Sequence, residues 1–157
     1  MNILAIDPGS KQSGYVIWDM TALKALSMDH CPNEVIYRLI EKESIATIQA
    51  VAIERIRGYG IVAGDDTFDT CEWVGRFQSI AEQRGIPTVL IPRKDIKRHL
   101  CGNVTTNDKY IRQALIDRFG DVGTKKAPGP LYGISGHLWS ALAVGVTWMD
   151  NYERSVI

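Results

Sequence analysis

The chain has 157 residues, 45% of them hydrophobic, and its 18 lysine and arginine residues balance 18 aspartate and glutamate residues. This length and composition fit one globular domain, predicted over residues 1–157, and exclude a disordered chain or a fibre. No apolar stretch is long enough to span a membrane and no signal-peptide pattern begins the chain, so we expect a cytoplasmic protein without a membrane partner. The three widely separated cysteines, Cys31, Cys71 and Cys101, predict reduced packing side chains rather than a disulfide framework or a zinc knuckle.

The first half of the chain alternates strands with helices. Short apolar runs predict three strands over residues 2–7, 15–18 and 23–28, which form an antiparallel meander. A helix follows Pro32, with Asn33 or Cys31 near its cap, and leads to a strand that ends at Glu54. After a glycine-rich loop over 57–67, a helix over about 69–84 ends at Gly85, and a strand follows over 88–91.

The second half of the chain is predicted to be helical. Two basic helices cover residues 94–100 and 106–119, and after a loop over 120–133 an apolar helix covers 135–152. Three strands, a helix, a strand, a helix, a strand and closing helices describe an α/β protein with a mixed sheet.

Two apolar strands end on a carboxylate. Asp7 ends the first strand and precedes Pro8-Gly9, and Glu54 ends another. Acids at the rim of a sheet lie where ligands bind, and paired carboxylates indicate a hard divalent cation. The alternatives are a turn-forming acid for Asp7 and a salt bridge with Arg55 or Arg57 for Glu54.

Further candidate metal ligands lie near the start of the last predicted helix. The spacing of three residues puts His137 and Ser140 on one helix face. A histidine in this position also serves as a capping or packing group, and when protonated it would assist a leaving group or orient water.

The basic residues concentrate in one segment. Residues 93–126 contain nine of the 18 lysine and arginine residues. Such a run is either a solvated face or a surface that neutralises nucleic-acid phosphates.

Several motifs together resemble the RuvC-type Holliday-junction resolvases of the ribonuclease H-like superfamily. The opening motif is Ile6-Asp7-Pro8-Gly9-Ser10 followed by Ser13-Gly14-Tyr15, and the resemblance continues through Ala52-Ile53-Glu54 and His137-Leu138-Trp139-Ser140-Ala141. It spans nearly the whole chain. It implies a ribonuclease H-like fold with a mixed five-stranded sheet flanked by helices.

The resemblance also implies an activity. The chain would be a structure-selective endodeoxyribonuclease that resolves four-way DNA junctions in recombination and repair, acting as a homodimer that makes paired nicks. Two Mg²⁺ ions about 4 Å apart, with Mn²⁺ as a substitute, would promote phosphodiester hydrolysis. Asp7 would bridge the ions, and Glu54 and His137 would hold one of them. Histidine is a better ligand for Mn²⁺ than for Mg²⁺.

Ser140 departs from the family pattern, which has a carboxylate at this position. A neutral hydroxyl cannot supply the negative charge of that ligand. Two explanations stand: an inactivating substitution of the kind engineered to capture uncleaved DNA, and a natural variant with water-mediated coordination. We expect Ser140→Asp to restore or greatly raise cleavage.

The resemblance assigns DNA contacts to the basic helices and to the loop after Glu54. Lys97 and Lys109 match basic positions of the family and would neutralise phosphates, with Thr105 or Thr106 capping the second helix. Tyr59 would wedge between bases at the junction centre, or alternatively cover the core. The neighbouring residues expected to contact DNA are Lys94, Arg98, Arg112 and Arg57.

Two other functions remain open. One is a ribonuclease H-like nuclease for other branched or hybrid nucleic acids, because a metal site alone does not select the shape of the substrate. The other is a non-catalytic module that binds junctions, which Ser140 favours. In the helix over about 69–84, Trp73, Phe77 and Ile80 form an apolar stripe for the core or for a dimer interface.

Overall fold

Five strands form one mixed sheet in the computed structural model of the chain, which describes residues 1–43 and 47–156. Across the sheet they lie in the order β3-β2-β1-β4-β5, with β1–β2 and β2–β3 antiparallel and β1–β4 and β4–β5 parallel. The predicted mixed sheet with its antiparallel meander is confirmed. The strands are β1 (Asn2–Asp7), β2 (Gln12–Asp19), β3 (Lys24–Pro32), β4 (Ala50–Arg55) and β5 (Thr88–Pro92).

Helices cover both faces of the sheet. On one face α1 and α2 pack against each other, and on the other face α5 crosses the central strands with α3 and α4 beside it. Among the residues that the structure describes, no helix has the length and apolar character needed to cross a membrane. The helices are α1 (Asn33–Lys42), α2 (Asp65–Gln83), α3 (Arg93–Cys101), α4 (Asp108–Phe119) and α5 (Leu138–Val156).

Four helix starts differ from the sequence prediction: besides that of α2, α3 begins one residue before its predicted start, and α4 and α5 begin two and three residues after theirs. α2 begins at Asp65, four residues before the predicted start. The extended residue Gly64 precedes it, and the acids in its first turn stabilise the start of the helix through their favourable interaction with the helix dipole. The N-cap of α1 is Pro32, without a side-chain cap. Asn33 and Cys31 therefore do not cap this helix, and the side chain of Asn33 bonds to the loop after β1 instead.

The central strands β1 and β4 are buried on both faces, which explains their continuous apolar sequences. In β1, Leu4 and Ile6 pack toward α1 and α2, whereas Ile3 packs toward α5. Gly145 lets α5 approach the sheet, because a Cβ atom there would lie 3.0 Å from the Cβ of Ala5. This close packing brings the start of α5 to the edge of the sheet where β1 ends.

A charged cluster joins α3 and α4 to α5. Nε2 of His99 lies 2.6 Å from Oδ2 of Asp150, and the guanidinium of Arg118 donates to both carboxylate oxygens at 2.6 and 2.7 Å. Burial raises the pKa of Asp150, but the hydrogen bonds from Arg118 and His99 outweigh it and leave the pKa below its ordinary value. The cluster thus fixes the two basic helices relative to α5.

The three cysteines are free thiols. Cys31 is buried and Cys101 is partly buried, as the sequence predicted, but Cys71 is exposed on α2. The prediction of three packing cysteines was therefore wrong for Cys71.

Candidate functional site

Two largely buried carboxylates lie side by side at the ends of parallel strands. Ile6 of β1 stands opposite Ile53 of β4, and Asp7 and Glu54 each follow by one residue. Because side chains alternate along a strand, both acids point to the face that α5 covers. Their side chains are only 15% and 10% exposed, respectively. The structure thus brings together two of the residues predicted to form a site.

The loop after Asp7 is held by a buried hydrogen-bond network. The hydroxyl of Ser13 accepts from the N–H of Gly9 at 3.0 Å and donates to Oδ1 of Asn33 at 2.5 Å. The amide of Asn33 donates in turn to the carbonyl of Gly9 at 2.9 Å. Residue 9 must be glycine, because a Cβ atom there would lie 2.2 Å from the carbonyl oxygen of Gln12. The network fixes the backbone that carries Asp7.

His137 reaches the site from the residue before α5. Its Nδ1 lies 3.1 Å from Oδ2 of Asp7, within hydrogen-bond distance. Its ring stacks on that of His30, with centroids 4.7 Å apart. Gly14 makes room for it, because a Cβ atom at position 14 would lie 3.3 Å from the Cβ of His137. Asp7, His30 and His137 line an open cleft of about 460 Å³.

Both carboxylates have a raised pKa. Burial raises the pKa of Glu54 to about 7, against the influence of Arg93, and the charge of Asp7 adds to the rise. Burial also raises the pKa of Asp7, although its contact with His137 opposes the change. Two adjacent acids with such shifts form an electrostatically unsatisfied pair that a bound cation would relieve.

Arg93 is the direct partner of Glu54. Its Nη1 lies 3.1 Å from Oε2 of Glu54, and its Nη2 donates to Oδ1 of Asp108. The sequence had offered Arg55 or Arg57 as the partner of Glu54, but both are exposed and the ion pair is made by Arg93. Glu54 therefore forms a salt bridge, as the alternative interpretation predicted, but with Arg93 rather than with Arg55 or Arg57.

Arg93 and Asp108 also belong to the site, although the sequence did not predict them there. They are the first residues of α3 and α4, and the ion pairs join the starts of these helices to β4. A signal was present for Arg93, which follows Pro92 at the end of β5, the strand beside β4. For Asp108 no local pattern distinguishes it from other acids in a first helical turn.

Ser140 lies farther along α5 and is partly buried. It lines a small cleft of about 270 Å³ together with Asp108, Lys109, Arg112 and Trp139. Ser140 stands where the resemblance to RuvC-type resolvases places a further carboxylate ligand. The carboxylate in its cleft is instead that of Asp108, from α4.

The predicted DNA-binding residues lie on α3, α4 and the loop after β4. Arg98 forms an ion pair with Asp95 at 2.8 Å, and Arg112 lies over the ring of Trp139. The cap of α4 is Asn107, whose side chain accepts from the N–H of Lys109 at 3.1 Å. The prediction of Thr105 or Thr106 as the cap was wrong, since Asn107 follows both of them and is the last residue before the helix.

The loop after Glu54 projects apolar side chains. Tyr59 is 45% exposed, so it does not cover the core, and Nζ of Lys94 lies 4.2 Å from the centre of its ring. Ile61 and Val62 are 76% and 95% exposed, more than Tyr59. Tyr59 was predicted from the sequence to contact DNA, whereas this more exposed apolar pair was not.

The site offers ligands for a metal ion, but the described residues do not form a complete set. In residues 1–43 and 47–156, no three histidine, cysteine or acidic side chains are grouped closely enough to hold an ion. Asp7 and Glu54 nevertheless offer the anionic oxygens that Mg²⁺ prefers, and His137 contacts Asp7. The donor chemistry fits a divalent cation, whereas Ser140 adds no charge to it.

The raised pKa of Glu54 predicts how stability depends on pH. Between the ordinary value of 4.5 and about 7, the folded protein keeps a proton that the unfolded chain has lost, so stability falls as pH rises through this window. Without metal, Glu54→Gln should therefore stabilise the protein by about 1–3 kcal/mol at about pH 8 and have little effect at about pH 4.5.

Urea denaturation in a chelating buffer measures this difference. The exposed Glu72→Gln on α2 serves as the control and should change stability little at either pH. A loss of stability in Glu54→Gln at the higher pH would contradict the prediction.

No protein-family model matches the chain, and no curated protein matches its sequence. Among solved structures, that of Thermus thermophilus RuvC is similar over 98% of this chain and 96% of its own, with a TM-score of 0.72 and 22% identity. A structure of T. thermophilus RuvC in complex with a Holliday junction substrate is similar over 94% of this chain and 92% of its own, with a TM-score of 0.69 and 20% identity. The mixed five-stranded sheet with its flanking helices therefore has the ribonuclease H-like fold of RuvC.

Proposed function

We propose that the chain is a single-domain, structure-selective endodeoxyribonuclease that cuts four-way DNA junctions by metal-dependent hydrolysis. The observation that carries the proposal is the pair Asp7 and Glu54, which lie on one face at the ends of adjacent parallel strands, one residue before the last in the case of Glu54, with His137 beside Asp7. The fold similarity to RuvC, one structure of which contains a Holliday junction substrate, supports the choice of DNA substrate. Roles in DNA recombination and repair follow from that substrate.

The proposed chemistry needs an anionic site that holds a cation next to a phosphodiester. Asp7 and Glu54 would bind Mg²⁺ or Mn²⁺ through carboxylate oxygens, and His137 through a ring nitrogen. The bound ion supplies Lewis acidity and lowers the pKa of water. In the reaction a water oxygen bonds to phosphorus while the bond to the departing sugar oxygen breaks. The water gives up a proton and the departing oxygen takes one up.

The basic residues of α3 and α4 lie along helices that begin at the carboxylate site. Lys97 follows Arg93 by one helical turn on α3, and Arg112 follows Asp108 by one turn on α4, so each pair shares a helix face. Lys109 lies next to Asp108 and is exposed. We propose that these cations, together with Lys94, Arg98 and Arg57, hold phosphates on either side of the cut.

Removing Lys97 or Lys109 should weaken junction binding through phosphate neutralisation. Each change to alanine should reduce the slope of log affinity against log salt by about 1. Binding is measured by fluorescence anisotropy in a chelating buffer between about 50 and 200 mM salt, the range over which such contacts are lost. Lys42→Ala, on α1 at the opposite face of the sheet, is the control. Slopes equal to that of the unchanged protein would instead make Lys97 and Lys109 part of a solvated face.

Paired cuts require two sites, so we propose a homodimer with twofold symmetry. The stripe on α2 gives one surface to consider: Phe77 and Ile80 are buried in the core, whereas Trp73 is only partly buried. Trp73 lines a cleft of about 430 Å³ between α1 and α2 with Tyr37 and Arg76. Light scattering at micromolar concentration tests the proposal, and a monomer would count against paired cleavage.

The decisive experiment compares substrates. The protein is incubated with a four-way junction, a flap, a Y-fork and an RNA/DNA hybrid, with Mg²⁺ or Mn²⁺. We expect symmetric nicks in the junction, and we expect Ser140→Asp to cut it about ten-fold faster or more because it adds a carboxylate to the site. Preference for flaps, forks or hybrids would replace the proposal with a general ribonuclease H-like nuclease.

Two observations favour a second function. Ser140 is neutral, and Arg93 already neutralises part of the charge of Glu54. Both features reduce the negative charge with which the site would attract a metal ion. A non-catalytic junction-binding module would bind junctions tightly without metal and would not cut them, either unchanged or as Ser140→Asp.

A further inference from the structure

We propose that the guanidinium of Arg93 is a built-in cation of the site, and that the site therefore binds one divalent metal ion per chain rather than two. This inference rests on the proposed nuclease function of the same residues. It assigns to Arg93 the charge that a second ion would otherwise supply next to the phosphodiester.

The contacts of Arg93 place it inside the carboxylate site. It holds Glu54 through Nη1 at 3.1 Å and Asp108 through Nη2, so two separate acids orient the planar group. Its side chain is 29% exposed, whereas that of Glu54 is 10% exposed. The guanidinium thus spans the space between a buried acid at a strand end and an exposed acid at a helix start. Guanidinium groups suit this position because they donate several hydrogen bonds to carboxylate or phosphate oxygens in a fixed plane.

The charges of the site match one divalent ion. With all acids ionised, the three carboxylates that act on Arg93 (Asp7, Glu54 and Asp108) and its one guanidinium sum to two net negative charges, and Ser140 adds none. One divalent ion makes this cluster neutral, whereas a second would leave it with two positive charges. A closely spaced pair of ions requires more anionic ligands than the described residues bring to this cluster.

The number of bound ions tests the proposal directly. Free Mn²⁺ is counted by electron paramagnetic resonance during a titration of the full chain, alone and with a four-way junction. The unchanged protein should bind one Mn²⁺ per chain. The double variant Arg93→Gln with Ser140→Asp should bind two, because it removes the guanidinium and adds a carboxylate. Two ions or none on the unchanged protein, or one on the double variant, would overturn the proposal.

The single variant Arg93→Gln gives a second readout that does not depend on the double variant folding. If Arg93 competes with the metal for Glu54, its removal should tighten the first Mn²⁺ site by about ten-fold, since one opposing charge is lost. Arg93→Lys should retain the affinity of the unchanged protein. A residue that only held the structure together would weaken Mn²⁺ binding when removed, and that result would also overturn the proposal.

A matched control separates this effect from general changes in charge. Arg38→Gln removes an exposed arginine of α1, on the opposite face of the sheet, and it should leave the Mn²⁺ affinity unchanged. The titration without DNA counts ions whether or not the protein cuts junctions. Failure of junction cleavage and failure of the Arg93 proposal are therefore distinguishable.

Discussion

Replacing Asp7 with asparagine is expected to lower the rate of junction cleavage by about 10³-fold or more. The carboxylate lies at the end of β1 beside Glu54 and His137, and the proposed ion would depend on its charge. Losing several kcal/mol of charge stabilisation in the transition state corresponds to a rate loss of about this size. Asparagine has nearly the same shape and also accepts hydrogen bonds, so the loop after β1 should keep its conformation.

Single-turnover cleavage of a four-way junction measures this loss. Junction affinity in a chelating buffer should stay within about two-fold, because Asp7 does not neutralise phosphates. Asp69→Asn, an exposed acid of α2, is the matched control and should cut at the rate of the unchanged protein. Cleavage by Asp7→Asn at more than about a tenth of the normal rate would remove Asp7 from the proposed catalytic role.

Replacing Gly9 with alanine is expected to destabilise the protein by about 3 kcal/mol. The new Cβ atom would lie 2.2 Å from the carbonyl oxygen of Gln12, and the backbone must move to relieve this overlap. Such a shift would also strain the two hydrogen bonds of residue 9, which donates its N–H to the hydroxyl of Ser13 and accepts at its carbonyl from the amide of Asn33. Because these bonds support the backbone next to Asp7, we expect the variant to lose metal affinity as well as stability.

A second glycine in the same protein gives the opposite expectation. Gly75 lies inside α2, and a Cβ atom there would meet no other atom within 4 Å. Gly75→Ala should therefore stabilise the protein by about 0.5–1 kcal/mol, since alanine favours the helix. Urea denaturation of both variants measures the two effects. Equal stability of Gly9→Ala and the unchanged protein would show that the loop adapts without cost.

Local sequence patterns were sufficient to predict the fold class and the two carboxylates. Asp7 and Glu54 each end a continuous apolar run, and such runs form central strands because burial on both faces demands apolar residues. Acids that directly follow these strands must then lie at the edge of the sheet. That both acids lie on the same face of the sheet follows only from the register of β1 against β4, which places Ile6 opposite Ile53.

Asn33 illustrates a residue whose local pattern was misleading. Its position at a helix start suggested a cap, but its side chain bonds to Ser13 and Gly9 across the fold. Asparagine serves both purposes equally well. The choice between them depends on which partner the folded chain brings near.

The sequence by itself determined that two strand-end acids, a histidine at a helix start and a neutral Ser140 belong to an α/β chain with basic helices. Only the tertiary structure decided that Glu54 pairs with Arg93 and that Arg93 also holds Asp108. These contacts join β4 to the starts of α3 and α4. Their geometry depends on how the helices pack against α5, and helix packing is set by many distant side chains rather than by local spacing.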